Sequence, residues 1–270
     1  MPPVALTVAG SDSGGGAGIQ ADLAAFRALG VFGTCAVTAV TAQNTLGVSL
    51  VHPLPPEVVR AQMHAVLTDL APAAVKLGML ATVAIVESVA AELSAMRPPH
   101  LVLDPVLVAT SGDALAGDGV CTALRRHLLP RAELITPNLP EAQSLTGAPV
   151  TTLDEARRAA RALTDLGARA ALVTGGHLRG AACDVLVTAD GMWEIEAPRV
   201  PGPAVHGTGC TLSAAITARL ALGDTLLDAV VAAKRHLTAA LHTALTPGAG
   251  APVPGWPDHP IETNVRVRSC

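Results

Sequence analysis

The chain has 270 residues, half of them hydrophobic, with 1% aromatics, no tyrosine and a formal net charge of −4. That composition excludes an aromatic stacking platform for single-stranded nucleic acid, and the charge excludes an electrostatic track for DNA or an anionic membrane. No apolar run spans a bilayer, MPPVALTVAG lacks a signal-peptide pattern, and five scattered cysteines form no C-x-x-C pair, so a cytoplasmic protein without zinc or disulfides is expected.

Val4 to Ala9 reads as a buried strand closed by Gly10, followed by the glycine-rich loop SDSGGGAGIQAD and a helix from about Ile19 to Leu29. Phe32 to Val40 is β-rich and ends in TAQNT. Pro55 to Leu70 reads as a helix with proline in its first turn. Ala74 to Met79 is a strand, and Thr82 caps a helix reaching about Met96. His100 to Val106 is a strand, Thr122 to Leu129 a short helix, and Glu133 to Asn138 the next strand. Thr152 caps a helix of clear periodicity, Ala171 to Gly175 is a strand, and Asp184 to Ala197 is a hairpin turning at Asp190-Gly191. Helices over Gly209–Leu222 and Leu226–Thr243 follow. This alternation implies a mostly parallel sheet covered on both faces. With no linker and no repeat, residues 1–270 form one domain, its tail irregular from about Pro247 and its last ten residues disordered.

Ligands in such folds bind beyond the carboxyl ends of the strands. Gly10-Ser11-Asp12, Gln43-Asn44, Gly78-Met79, Asp104, Asn138 and Gly175-Gly176 all fall there. The first loop lacks the Gly-Lys-Ser/Thr of a phosphate loop. Gly16-x-Gly18-x-x-Ala21 weakly matches a dinucleotide fingerprint, but no acidic residue occurs from Leu23 to Pro56 to hold a ribose. A nicotinamide cofactor is therefore rejected, and the loop is read as backbone closing over a small substrate with Asp22 as polar anchor or as a plain helix-face carboxylate. Asn138 and Glu141, three apart, and Asp104 offer hard oxygen donors for a Mg²⁺ that keeps its waters; taken alone, Glu141 better suits a first-turn carboxylate on a helix dipole. His177 and His206 flank glycine motifs, whereas the other histidines show no ligand spacing.

The stretch HGTGCTLSAA from His206 reads as a tight turn entering an apolar helix. A helix N-terminus offers unpaired N–H groups to an anion, and glycines let an anion approach. Cys210 at its mouth is expected to have a lowered thiol pKa. The same residues also suit a plain helix start backed by an inert cysteine.

AGSDSGGGAGIQADL, TAQNT, KLGML, VLDPV, LITPNLPEA, TGGH and HGTGCTLSAA, in this order up to Ala215, resemble the ribokinase-like kinases. More narrowly they resemble the hydroxymethylpyrimidine/phosphomethylpyrimidine kinases of thiamine biosynthesis. The resemblance implies a three-layer αβα sandwich and ATP- and Mg²⁺-dependent phosphorylation of 4-amino-5-hydroxymethyl-2-methylpyrimidine and its monophosphate by a homodimer. It implies Cys210 as base, with Gly207, Thr208 and Gly209 completing the anion hole. Gln43, Asp22, Gly10, Ala17, Met79 and Val106 would hold the pyrimidine. Asn138, Thr174, Gly176 and Thr208 would hold ATP, with Glu141 and Asp104 at the metal. Three departures stand out: Thr174 replaces the lysine usual before Gly-Gly-His, SDSGGG replaces SDPSGG, and the tail does not match, leaving the adenine site unassigned. A pyridoxal kinase and a non-catalytic pyrimidine sensor remain as alternatives. Gln43 and Cys210 favour the pyrimidine, and Thr174 favours the sensor.

Overall fold

The computed structural model describes residues 1–107, 115–176, 178, 180–256 and 261–270. In chain order the elements are β1 (Val4–Asp12), α1 (Gly18–Ala28), β2 (Phe32–Gln43), β3 (Val48–Pro53), α2 (Pro56–Asp69), β4 (Ala74–Leu77), α3 (Val83–Met96), β5 (His100–Leu103) and α4 (Val120–Ala123), which runs on as a wider π turn over Leu124–Leu128. Then come β6 (Leu134–Ile135), α5 (Leu139–Thr146), α6 (Leu153–Asp165), β7 (Ala171–Val173), β8 (Ala182–Thr188), β9 (Gly191–Ala197), α7 (Thr208–Ala221), α8 (Leu226–His242) and β10 (Arg266–Ser269).

The strands form one ten-stranded sheet in the order β10-β9-β8-β7-β6-β5-β4-β1-β2-β3. From β7 to β2 neighbours run parallel; β3 and the β8–β9–β10 meander add antiparallel edges. Side chains alternate across the sheet. Leu101, Leu103, Val185 and Val187 join the core under α2 to α6, whereas Val102 and Leu186 join the core under α7 and α8. The result is three layers, with α1, α7 and α8 on the second face.

Local signals explain the helix starts. Thr82 Oγ1 accepts from Ile85 N–H, and Thr152 with Glu155 forms a capping box. NLPEA opens α5, the helix start left open for Glu141. Two elements depart from the sequence reading. β3 is an added edge strand. The last ten residues are not all irregular, since β10 pairs with β9 from Arg266↔Glu196 to Ser269↔Trp193. The Pro/Gly-rich tail forms a strap. Ala251 N–H donates to Thr45 O at 2.9 Å, His206 N–H donates to Pro252 O at 2.8 Å, and Leu245 bridges Val253. Composition cannot reveal such pairing, because every partner is distant in sequence.

Candidate active site

The first turn of α7 is built on glycine. Gly207 is the N-cap at φ +81°, and a Cβ there would lie 1.8 Å from Gly16 O. Both the backbone conformation and the close approach demand glycine. The first loop thus abuts the α7 N-terminus directly. No side chain caps this helix, so the N–H groups of Thr208, Gly209 and Cys210 face outward as donors.

Beneath that turn lies a buried charge cluster. Lys76, on β4, is fully buried; its Nζ donates to Asp22 Oδ1 at 2.6 Å and lies 4.0 Å from Asp104 Oδ2. Thr7 Oγ1 donates to Asp22 Oδ2 at 2.6 Å, and Ser213 Oγ donates to Asp104 Oδ2 at 2.8 Å. Burial opposes the Lys76 charge, but Asp22, Cys210 and Asp104 outweigh it and hold the ammonium well above its usual range. Burial pushes the Asp22 carboxyl up, and Lys76 draws it back.

This geometry corrects two expectations. Asp22 is not a surface anchor for substrate: it is wholly enclosed, and both its oxygens are taken by Lys76 and Thr7. Cys210 is not a low-pKa thiol: burial pushes it up to about 12, Lys76 pulls down, and Asp22 and Asp104 push up again. The helix N-terminus alone would favour a thiolate. Burial outweighs it, and the carboxylates brought in from α1 and the end of β5 add to that effect. Lys76 was missed in the sequence, although a lone lysine inside an otherwise apolar strand is unusual enough to mark a paired charge.

The first loop is organised by Asp12, which the sequence placed at a strand end without assigning it this role. Its Oδ1 accepts from Gly14 N–H at 2.7 Å, and its Oδ2 accepts from the N–H groups of Gly16 at 3.1 Å and Ala17 at 2.9 Å. Burial pushes its carboxyl up, but His206 and the loop N–H groups pull it below its usual range. Ala17 is the N-cap of α1. His206 Nε2 lies 3.3 Å from Asp12 Oδ2 and 2.9 Å from the Gln43 amide nitrogen. Gln43, at the end of β2, borders an open hollow of about 630 Å³ shared with Ser13, Asn44 and Val48. Gly10, Met79 and Val106 come together: a Cβ on Gly10 would lie 3.0 Å from Met79 Sδ, and Val106 packs on the cluster containing Met79.

Asn138 caps α5 and forms a capping box with Glu141. Asn138 Oδ1 accepts from Glu141 N–H at 2.9 Å, and Glu141 Oε2 accepts from Asn138 N–H at 3.0 Å. The helix-start role open for Glu141 is therefore present, yet the residue is also buried, which an ordinary capping carboxylate is not. Burial, and then the Asp104 charge, pushes its carboxyl up to about 8 against the N–H groups of Asn138 and Leu107. Two mutually repelling carboxylates offer hard oxygen donors suited to a hydrated divalent cation. Among the described residues no group of three or more His, Cys, Asp or Glu forms a cation cage. Thr174 bridges Asn138 in parallel register, and its N–H donates to Pro137 O at 2.9 Å. Gly176 follows, exposed. His177 lies outside the described residues.

Residues 12–254 match the family model described as phosphomethylpyrimidine kinase. A hydroxymethylpyrimidine/phosphomethylpyrimidine kinase of Rhizobium meliloti is 50% identical over 249 residues, covering 90% of this chain and 92% of that protein. One from Haemophilus influenzae is 46% identical over 257 residues, covering 93% and 96%. Among solved structures, Staphylococcus aureus pyridoxal kinase in complex with AMP-PCP and pyridoxal superposes at TM-score 0.91 with 30% identity over 100% of both chains. A Clostridium difficile phosphomethylpyrimidine kinase superposes at 0.77 with 40% identity, covering 87% of this chain and 98% of that one. Among the described residues no helix is long and apolar enough to cross a membrane. The uncapped α7 turn, the abutting glycine loop and a match spanning nearly the whole chain lead to one conclusion: the protein belongs to the phosphomethylpyrimidine kinase family, within the ribokinase-like fold.

Proposed function

We propose that this protein transfers the γ-phosphoryl group of ATP to the hydroxymethyl oxygen of 4-amino-5-hydroxymethyl-2-methylpyrimidine, and then to the phosphate of its monophosphate, for thiamine diphosphate synthesis. The observation carrying this reading is the uncapped N-terminus of α7, closed by Gly207 against the substrate loop with Cys210 in its first turn. Its N–H groups would meet the charge that develops on the transferring phosphoryl group. Gln43 would meet the pyrimidine edge, and Met79 and Val106 its face, above Gly10 and beside Ala17. Asn138, Thr174, Gly176 and Thr208 would meet the ATP phosphates. Asp104 and Glu141 would hold Mg²⁺, which supplies charge neutralisation between the phosphates when bound. A cytoplasmic homodimer belongs to the same reading.

The raised thiol bears on the role of Cys210. Ionising a thiol of pKa about 12 at neutral pH costs about 7 kcal/mol. General-base assistance returns roughly 10²–10⁴-fold, or about 3–5 kcal/mol. A loose phosphoryl-transfer transition state asks little of a base. In this reading the anion hole and positioning carry most of the rate, with Cys210 contributing its backbone N–H and a thiol whose ionisation burial opposes.

Phosphorylation of pyridoxal is the second reading, and one observation favours it: the S. aureus pyridoxal kinase backbone superposes at 0.91. ADP release with each heterocycle, with products identified by mass, tests both. Pyrimidine mono- and diphosphate are expected; absence of ADP release with the pyrimidine overturns the proposal.

A further inference from the structure

The turn Thr174-Gly175-Gly176 leaves the carboxyl end of β7 beside the N-terminus of α5, joined to it by the Asn138–Thr174 bridge. It carries no lysine, and the Arg199 guanidinium is spent on the carbonyls of Gly176, Leu178 and Gly180, so the placement of the turn's backbone matters. Gly175 passes so close to β8 that a Cβ would lie 1.8 Å from Cys183 O. Its buried N–H donates to Asp184 Oδ1 at 2.9 Å. The other oxygen of that carboxylate accepts from Lys234 Nζ at 2.6 Å. The two side chains are 2% and 6% exposed, so the pair is sealed from solvent. Lys234 comes from α8, which contributes none of the residues assigned above. On its outer side the turn is held by Arg199, whose Nη1 donates to Gly176 O at 2.8 Å.

A buried ion pair is a poor device for stability alone, since an apolar pair of similar volume often serves as well. Here one carboxylate oxygen is turned onto a backbone N–H, and the lysine fixes the rotamer that does so. We infer that Asp184 and Lys234 are positioning residues for the nucleotide: they set the height of the Gly175-Gly176 backbone at the ATP phosphates. This rests on the proposed contact of that turn with ATP.

The test compares two double variants of the full chain. Asp184→Leu with Lys234→Met removes the charges and the acceptor together. Asp184→Asn with Lys234→Met removes the charges but keeps an oxygen for Gly175 N–H. The leucine variant is expected to raise KM for ATP about tenfold and to weaken ADP binding by calorimetry about tenfold, with KM for the pyrimidine unmoved. The asparagine variant is expected to restore most of both. Amide exchange at Gly175 separates the ways of failing. Unchanged exchange in the leucine variant overturns the positioning bond itself. Faster exchange with unchanged ADP affinity overturns the inference through its premise, because the turn then does not meet the nucleotide. Equal loss in both variants, or loss shared by the pyrimidine, reduces the pair to a structural one.

Discussion

Glu141 makes stability depend on pH in an unusual direction. Burial and then the neighbouring Asp104 charge raise its carboxyl from the ordinary 4.5 to about 8. The folded state therefore holds a proton that the unfolded chain releases. Stability from this group is fully present below about pH 4.5 and declines as pH rises to about 8, where the loss is complete. At about 1.4 kcal/mol per pH unit across that gap, the total loss is about 5 kcal/mol. Between pH 5.5 and 8.5 it is about 3 kcal/mol, since the first unit is already spent at the lower pH. Glu141→Gln removes the titration yet keeps an oxygen for Asn138 N–H, because glutamine also serves in a capping box. Urea unfolding in the presence of a chelator is the assay. Wild type should lose about 3 kcal/mol more than the variant between those two pH values. Added Mg²⁺ should stabilise wild type at pH 8.5 and the variant much less. Identical pH slopes for the two proteins would refute the reasoning, and an equal response to Mg²⁺ would remove Glu141 from the metal site.

Three other outcomes are expected. Cys210 should react slowly with iodoacetamide at pH 7, and Cys210→Ser should lower kcat less than about tenfold with both KM values unchanged, since no thiolate is being lost; fast alkylation blocked by pyrimidine would restore the thiolate. Lys76→Met should destabilise by about 3–5 kcal/mol in urea by stranding Asp22, and Lys76→Met with Asp22→Leu should recover most of that; equal stability of wild type and Lys76→Met would contradict the buried pair. Gln43→Ala should weaken pyrimidine binding about tenfold by calorimetry, through the loss of one amide contact; unchanged affinity would place the ring elsewhere.

Much of the layered fold was legible because its signals are local. α6 begins at a capping box between neighbours Thr152 and Glu155, and the hairpin of β8 and β9 turns at Asp190-Gly191. β10 and the strap after Pro247 were not legible, since their partners, β9, Thr45 and His206, lie far away in the chain. The site divides the same way. Gly207 follows from local turn chemistry. Whether Asp22 faces a ligand or Lys76 depends on how α1 packs over β1, the strand beside β4, which no local pattern encodes. The Cys210 expectation met the same limit: the helix start was visible, but the burial that raises the thiol, and the two carboxylates that add to it, were not.

The most direct test of the account is a competition. Equimolar pyrimidine and pyridoxal are offered to the enzyme with limiting ATP, and the phosphorylated products are counted, so that their ratio reports the ratio of kcat/KM. The account predicts at least a roughly tenfold excess of phosphorylated pyrimidine, about 1.4 kcal/mol in transition-state binding. An equal partition, or an excess of pyridoxal phosphate, would contradict it.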